Sequence, residues 1–211
     1  MNYKAYQDCK FDKAYAMAKT RMDVADNKLR AGNQDTCSVG CMFENYEHEL
    51  SEAYYNIYPQ CTYTLDAIYE GLPTKAESDQ FHIDYYDAIP IGGDTKQAWH
   101  NFMSQLMLDT VNGMIVSDKT DSSEKVGLLH LRAARGDMPS YFDWKKIASS
   151  ERAEWAAWKE SVPKWAAKAA KAAKWAAGAA RAAAMIREWP EARDKHYQWQ
   201  RDTLLQCLRD C

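Results

Sequence analysis

The sequence predicts an all-α protein, a compact bundle of roughly seven to nine helices with a long alanine-rich helix in its C-terminal third. Three observations predict it. Apolar residues recur every three or four positions through most of the chain, as the faces of helices do. Capping residues, glycines and prolines punctuate those stretches at helical lengths. Residues 164–184 read KWAAKAAKAAKWAAGAARAAA, in which thirteen of twenty-one residues are alanine, the strongest helix former. No alternating pattern bounded by turn residues points to a sheet.

The elements follow in order. Phe11, Tyr15, Ala18, Met22, Ala25 and Leu29 share one helical face, so a first helix is expected from about Tyr3 to Arg30, stopped at Gly32. Asp35 and Thr36 offer an N-cap to a helix carrying Cys37, Cys41, Glu44 and His48. After Pro59, Thr62 can cap a helix that stops at Gly71-Leu72-Pro73. Thr74 and Glu77 form a capping box for the next, which ends at Ala88-Ile89-Pro90 before the Gly92-Gly93 turn. Ala98, Phe102 and Leu106 mark an amphipathic helix after Thr95. Asp121 and Glu124 open another that runs to Gly136, and Ser140 with Asp143 opens the next. Pro163 and Pro190 fit first helical turns. The last helix carries Tyr197, Leu204, Leu205 and Leu208.

Charge divides the chain. Residues 1–150 hold 15 Lys and Arg against 22 Asp and Glu; residues 151–211 hold 12 against 8. An acidic helical body over 1–140 and an Ala/Trp/Lys-rich region over 141–211 packed on it account for this without an outside ligand. A basic stretch meeting an anionic partner is the sharper reading. The net charge of −3 speaks against a duplex-binding domain. No secretory leader opens at Met1-Asn2-Tyr3-Lys4, and no apolar run is long enough to span a membrane. A cytoplasmic location is therefore expected, with the six cysteines reduced.

Several segments resemble a group of bacterial and bacteriophage proteins. They are Cys37-Ser38-Val39-Gly40-Cys41 with His48, then Glu70-Gly71-Leu72-Pro73, then Ala88-Ile89-Pro90-Ile91-Gly92, and last the alanine-rich stretch. The resemblance covers residues 34–110 and that stretch. It implies a phage or mobile-element accessory protein and supplies no activity and no catalytic residue; counteracting host defence is an expectation for such a protein.

Two sets of residues are candidates for chemistry. On a helix, Lys168, Lys171, Lys174 and Arg181 fall with Lys164 in one arc roughly 140° wide. Trp175 lies inside that arc, with Gly178 one turn on. An indole among cations can stack a flat ring while the lysines neutralise phosphate, and glycine lets the ligand close on the backbone. That composes a site for a nucleotide or RNA. A Trp175 buried against the body, with the lysine stems passing it, is the structural alternative. The opposite face, with Ala166, Ala169, Ala173, Ala177, Ala180 and Ala184, suits close helix packing within the chain or between copies as a homo-oligomer seam.

The second set is Cys37, Cys41 and His48, spaced four and seven apart with Glu44 between. Thiol, imidazole and carboxylate are zinc ligands, and a thiol near an imidazole can be an activated nucleophile. Four ligands on one straight helix cannot reach one ion, so further ligands would come from Cys9, Cys61, Cys207 or Cys211. Cysteines facing the core explain the same pattern without metal. His130, between two leucines, is expected to be a partly buried core residue, and Asp84, Asp87 and Asp94 a solvated acidic loop. The leading expectation is a non-catalytic binding protein for an anionic ligand or a host protein. A metal- or thiol-dependent enzyme, and a structural oligomer, are the alternatives.

Overall fold

The computed structural model describes residues 3–112, 121–148 and 190–211. Among these the protein is helical, with an isolated antiparallel bridge, Lys4 to Asp94, and no strand. The helices are α1 (Lys13–Ala25), α2 (Ser38–Phe43), α3 (Leu50–Tyr55), α4 (Pro59–Gly71), α5 (Lys75–Ala88), α6 (Thr95–Leu108), α7 (Asp121–Ala134), α8 (Tyr141–Ala148) and α9 (Pro190–Arg209). None of them is long and apolar enough to cross a membrane. The alanine-rich stretch lies outside the described residues. So do Trp175, Lys168, Lys171, Lys174, Gly178 and Arg181 and the Ala face opposite them.

Two compact units form. The first joins residues 3–102 to 197–211, and the second lies within 103–196. The compositional boundary near residue 140 falls inside the second unit.

In the first unit, α5 is the spine. Thr74 caps it as predicted: Thr74 Oγ1 accepts from the Glu77 N–H at 3.2 Å, and the Thr74 hydroxyl donates to Glu77 Oε2 at 2.8 Å. Phe81, His82, Tyr85 and Tyr86 are fully buried along it. At its other end Lys13 Nζ donates to the carbonyls of Asp87 (2.6 Å) and Ile89 (2.9 Å), a cation where the helix dipole is negative. Helix α4 begins at Pro59, not at Thr62, because proline at the first helical position surrenders no hydrogen bond. Cys61, Leu65, Ile68 and Tyr69 are its buried face.

The predicted first helix is half as long as expected. Residues 3–12 instead pin to the glycine turn: Ala5 N–H donates to the Gly93 carbonyl (3.0 Å) and Gly92 N–H to the Ala5 carbonyl (2.7 Å). Asp12 caps α1, and Asn27, with φ +53°, stops it before Gly32 is reached. Its buried face also differs from the predicted one. Tyr15 and Met22 are 44% and 56% exposed, whereas Ala16, Met17, Thr20 and Asp23 are buried. The face that packs on α5 is the one with small residues. Asp23 is tolerated there because Lys19 lies 3.0 Å from it and Lys28 3.7 Å.

In the second unit, α7 and α8 pack together, with His130 against Trp144 at 5.1 Å between ring centres. His130 is buried, as expected of a core histidine. The Ser140–Asp143 pair forms a reciprocal cap: Ser140 N–H donates to Asp143 Oδ2 (2.8 Å) and Asp143 N–H to Ser140 Oγ (3.2 Å).

Candidate functional site

Besides Asp23, the first unit contains a buried carboxylate with a dense set of uncharged and imidazole partners, Asp66 on α4. It is 7% exposed. The Tyr46 hydroxyl donates to its Oδ2 at 2.8 Å, and His48 Nε2 faces the same oxygen at 3.3 Å. Ser38 Oγ, the first residue of α2, approaches Oδ1 at 3.4 Å. The His48 ring is fixed by stacking on Tyr63, 3.9 Å between centres and 7° between planes, and Tyr63 in turn donates to Glu49 at 2.7 Å. Burial opposes the charge on Asp66, but hydrogen bonds from His48 and Tyr46 outweigh it and hold the carboxyl below its usual range.

Cys37 and Glu70 complete the cluster. Cys37 is the N-cap of α2, its sulfur accepting from the Gly40 N–H at 3.4 Å. Glu70 lies one turn beyond Asp66 on α4 and accepts from the Gly32 N–H at 2.6 Å. One ligand atom each of Cys37, Asp66 and Glu70 all lie within 4.8 Å of one another. Among the described residues this is the one such group of three that could hold a metal ion. Burial and the nearby Asp66 charge raise Glu70, the Gly32 N–H partly offsetting them.

The predicted Cys37–Cys41–Glu44–His48 stripe does not exist as one helical face. Helix α2 is only six residues long, and Glu44 ends it in the left-handed region at φ +54°. His48 therefore reaches Asp66 from a loop. Cys41 points elsewhere, lining a surface cleft of about 490 Å³ with Lys19, Asp23, Lys28, Gly40 and Glu44. Cys37 and His48 do share a site, with Asp66 as the common partner that spacing along α2 could not reveal.

No thiol here is activated. Burial first, then the Asp66 charge, pushes Cys37 up to about 12. Burial likewise raises Cys41, with Asp23 second. It drives Cys61 well above its ordinary value and takes Cys207 to about 12 and Cys211 to about 11. Cys9 is raised too, again by burial first. Thiols held this way are protonated at neutral pH and are poor nucleophiles.

Asp66, Glu70 and Tyr46 were not among the sequence candidates. The available signal was the i,i+4 carboxylate pair on α4, which normally marks a solvated face. Asp94 also has a role beyond an acidic loop, since its Oδ1 accepts from the Gln97 N–H at 3.0 Å at the start of α6. No protein-family model, no curated protein and no solved structure matches this chain.

Proposed function

We propose that this chain is a non-catalytic phage or mobile-element accessory protein that acts by covering a host protein. The observation that carries the reading is the surface of the second unit where α7 turns into α8. Phe142 is 75% exposed, and Met138 and Tyr141 are 44% and 40% exposed within the same five residues. Leu128, 46% exposed, sits one helical turn before Arg132. Arg132 in turn bonds Asp137 at 2.8 Å and lies 3.8 Å from Asp143. An apolar centre of aromatic and methionine side chains beside a paired-charge rim is the anatomy of a protein-binding surface. The raised thiols weigh against a cysteine nucleophile, and so against the enzymatic alternative.

The test is native mass spectrometry of the chain purified from its host background, beside a Phe142→Glu variant of equal thermal midpoint. The reading expects a stoichiometric partner mass that the variant loses. A partner retained by Phe142→Glu, or a mass corresponding only to a second copy of the chain, refutes it. The anionic-ligand reading is favoured by one sequence observation, Trp175 set among Lys168, Lys171, Lys174 and Arg181. In the same spectra it expects a nucleotide or RNA that Lys168→Glu with Lys171→Glu removes.

A further inference from the structure

We infer that Cys37, Asp66 and Glu70 form a binding site for one divalent cation of zinc type, with Tyr46, His48 and Ser38 acting on Asp66 as positioning residues. The two oxygens of Asp66 are used differently. Oδ2 takes both strong partners, the Tyr46 hydroxyl at 2.8 Å and His48 Nε2 at 3.3 Å. Oδ1 has the long Ser38 contact at 3.4 Å, and the Cys37 thiol also reaches the carboxylate. The carboxylate is thus held most firmly through Oδ2. Glu70 repeats the arrangement, with the Gly32 N–H on Oε2 at 2.6 Å. Carboxylates oriented by hydrogen bonds on the far oxygen are what outer-shell partners produce at metal centres.

The donor set fits the ion. Zinc takes thiolate and carboxylate ligands at about 2.3 and 2.0 Å, which puts tetrahedral neighbours about 3.3 to 3.5 Å apart. The three donors already lie within 4.8 Å. The remaining closure falls to Glu70, whose side chain is on the exposed edge of the cluster. Calcium and magnesium want six or more oxygens and gain nothing from a sulfur. Binding replaces the Cys37 S–H proton by the ion and releases that proton to solvent.

One buried polar group beside the cluster is left without a partner. Tyr69 is 1% exposed, and its hydroxyl has no hydrogen-bond partner; the ionisable groups that act on it are first Asp79 and Cys41, then Glu70 and Cys37 of the cluster. A buried hydroxyl left unpaired is destabilising. A water completing the coordination of an ion held by three protein ligands gives that hydroxyl a partner.

The experiment strips the intact chain with a chelator and titrates Zn²⁺ alone in competition with a chromophoric chelator, with Mg²⁺ and Ca²⁺ in parallel. One zinc per chain is expected, and no competition from the other two ions. Cys37→Ser and Glu70→Gln each weaken binding by about a hundredfold or more, and Tyr46→Phe, which leaves every ligand in place, by about tenfold. Cys41→Ser and Cys207→Ser change nothing. Co²⁺ should give a thiolate charge-transfer band that Cys37→Ser removes and Cys41→Ser keeps. Should Cys37→Ser fail to fold, Glu70→Gln, at an exposed side chain, decides alone. Absence of stoichiometric zinc, equal affinity in Glu70→Gln, or loss of zinc with Cys207→Ser overturns the site. None of these outcomes depends on the surface around Phe142.

Discussion

His82 should make this protein more stable when it is removed. The ring is fully buried on α5, 5.7 Å from the Tyr86 ring, and neither nitrogen has a hydrogen-bond partner. Burial, followed by the charge of Lys19, pushes its pKa down to about 3. The unfolded chain binds a proton on this residue below about pH 6.5, whereas the folded chain does not until about pH 3. Stability is therefore lost progressively as pH falls from about 6.5. At pH 4.5 two pH units separate the states, worth about 3 kcal/mol at roughly 1.4 kcal/mol per unit. That is a large share of the roughly 5–15 kcal/mol typical of a folded domain. His82→Met replaces the ring by an unbranched apolar side chain that adapts to irregular space. At pH 7.5 the variant should be equal to the parent or more stable by about 1–2 kcal/mol, because two unpaired buried nitrogens are gone. At pH 4.5 the gap should widen by about 3 kcal/mol more. Urea unfolding followed by far-ultraviolet circular dichroism at both pH values measures it. A gap that does not change with pH, or a variant weaker than the parent by more than about 2 kcal/mol at pH 7.5, refutes the reasoning.

Four further outcomes are expected from urea or thermal unfolding. Gly40→Ala should be severely destabilising or fail to fold, because a Cβ there would lie 2.1 Å from the Gln34 carbonyl oxygen and 2.7 Å from the Asp35 backbone. Gly32→Ala has open space around the Cβ and should lose only about 1 kcal/mol, from its φ of +75°. Thr74→Ala removes the α5 cap and should lower stability by about 1 kcal/mol, a loss that Thr74→Ser restores. Lys13→Met leaves the C-terminal carbonyls of α5 without their cation and should lower stability by about 1 kcal/mol, with amide exchange in the last turn of α5 rising before any other.

Local chemistry was legible wherever a helix end is decided by its own residues. Thr74–Glu77, Ser140–Asp143 and the Ile89-Pro90 stop all stand where spacing placed them. Legibility failed where a distant residue decides. Residues 3–12 belong to the predicted first helix, yet Ala5 exchanges backbone hydrogen bonds with Gly92 and Gly93, and Tyr6, Lys10 and Phe11 donate to Tyr55, Ala53 and Tyr54. The apolar residues of α1 recur at helical spacing, yet Tyr15 and Met22 among them face outward. Packing on α5 selected the small face instead, and that choice belongs to the partner helix. The site divides in the same way. Cys37 and His48 are visible because thiol and imidazole are rare residues. Asp66 is not, because a carboxylate inside a helix is ordinary until Tyr46, His48 and Ser38 are seen to converge on it.

The first unit is discontinuous, and this bears on how the protein is made. Residues 197–211 complete it: the Tyr197 ring lies against Gly71, leaving no room for a Cβ, and Gln198 donates to Glu77 at 2.6 Å. Leu204, Leu205 and Leu208 are buried. A ribosome delivers residues 3–102 first and must then synthesise the intervening 103–196 before the closing helix exists. At about 5–20 residues per second that interval is roughly 5–20 s. During it the nascent chain holds an unfinished apolar seam at the surface where α9 will dock. That seam is a site for a holdase chaperone, and a transcript cut short between residues 102 and 197 yields a product with the seam still open.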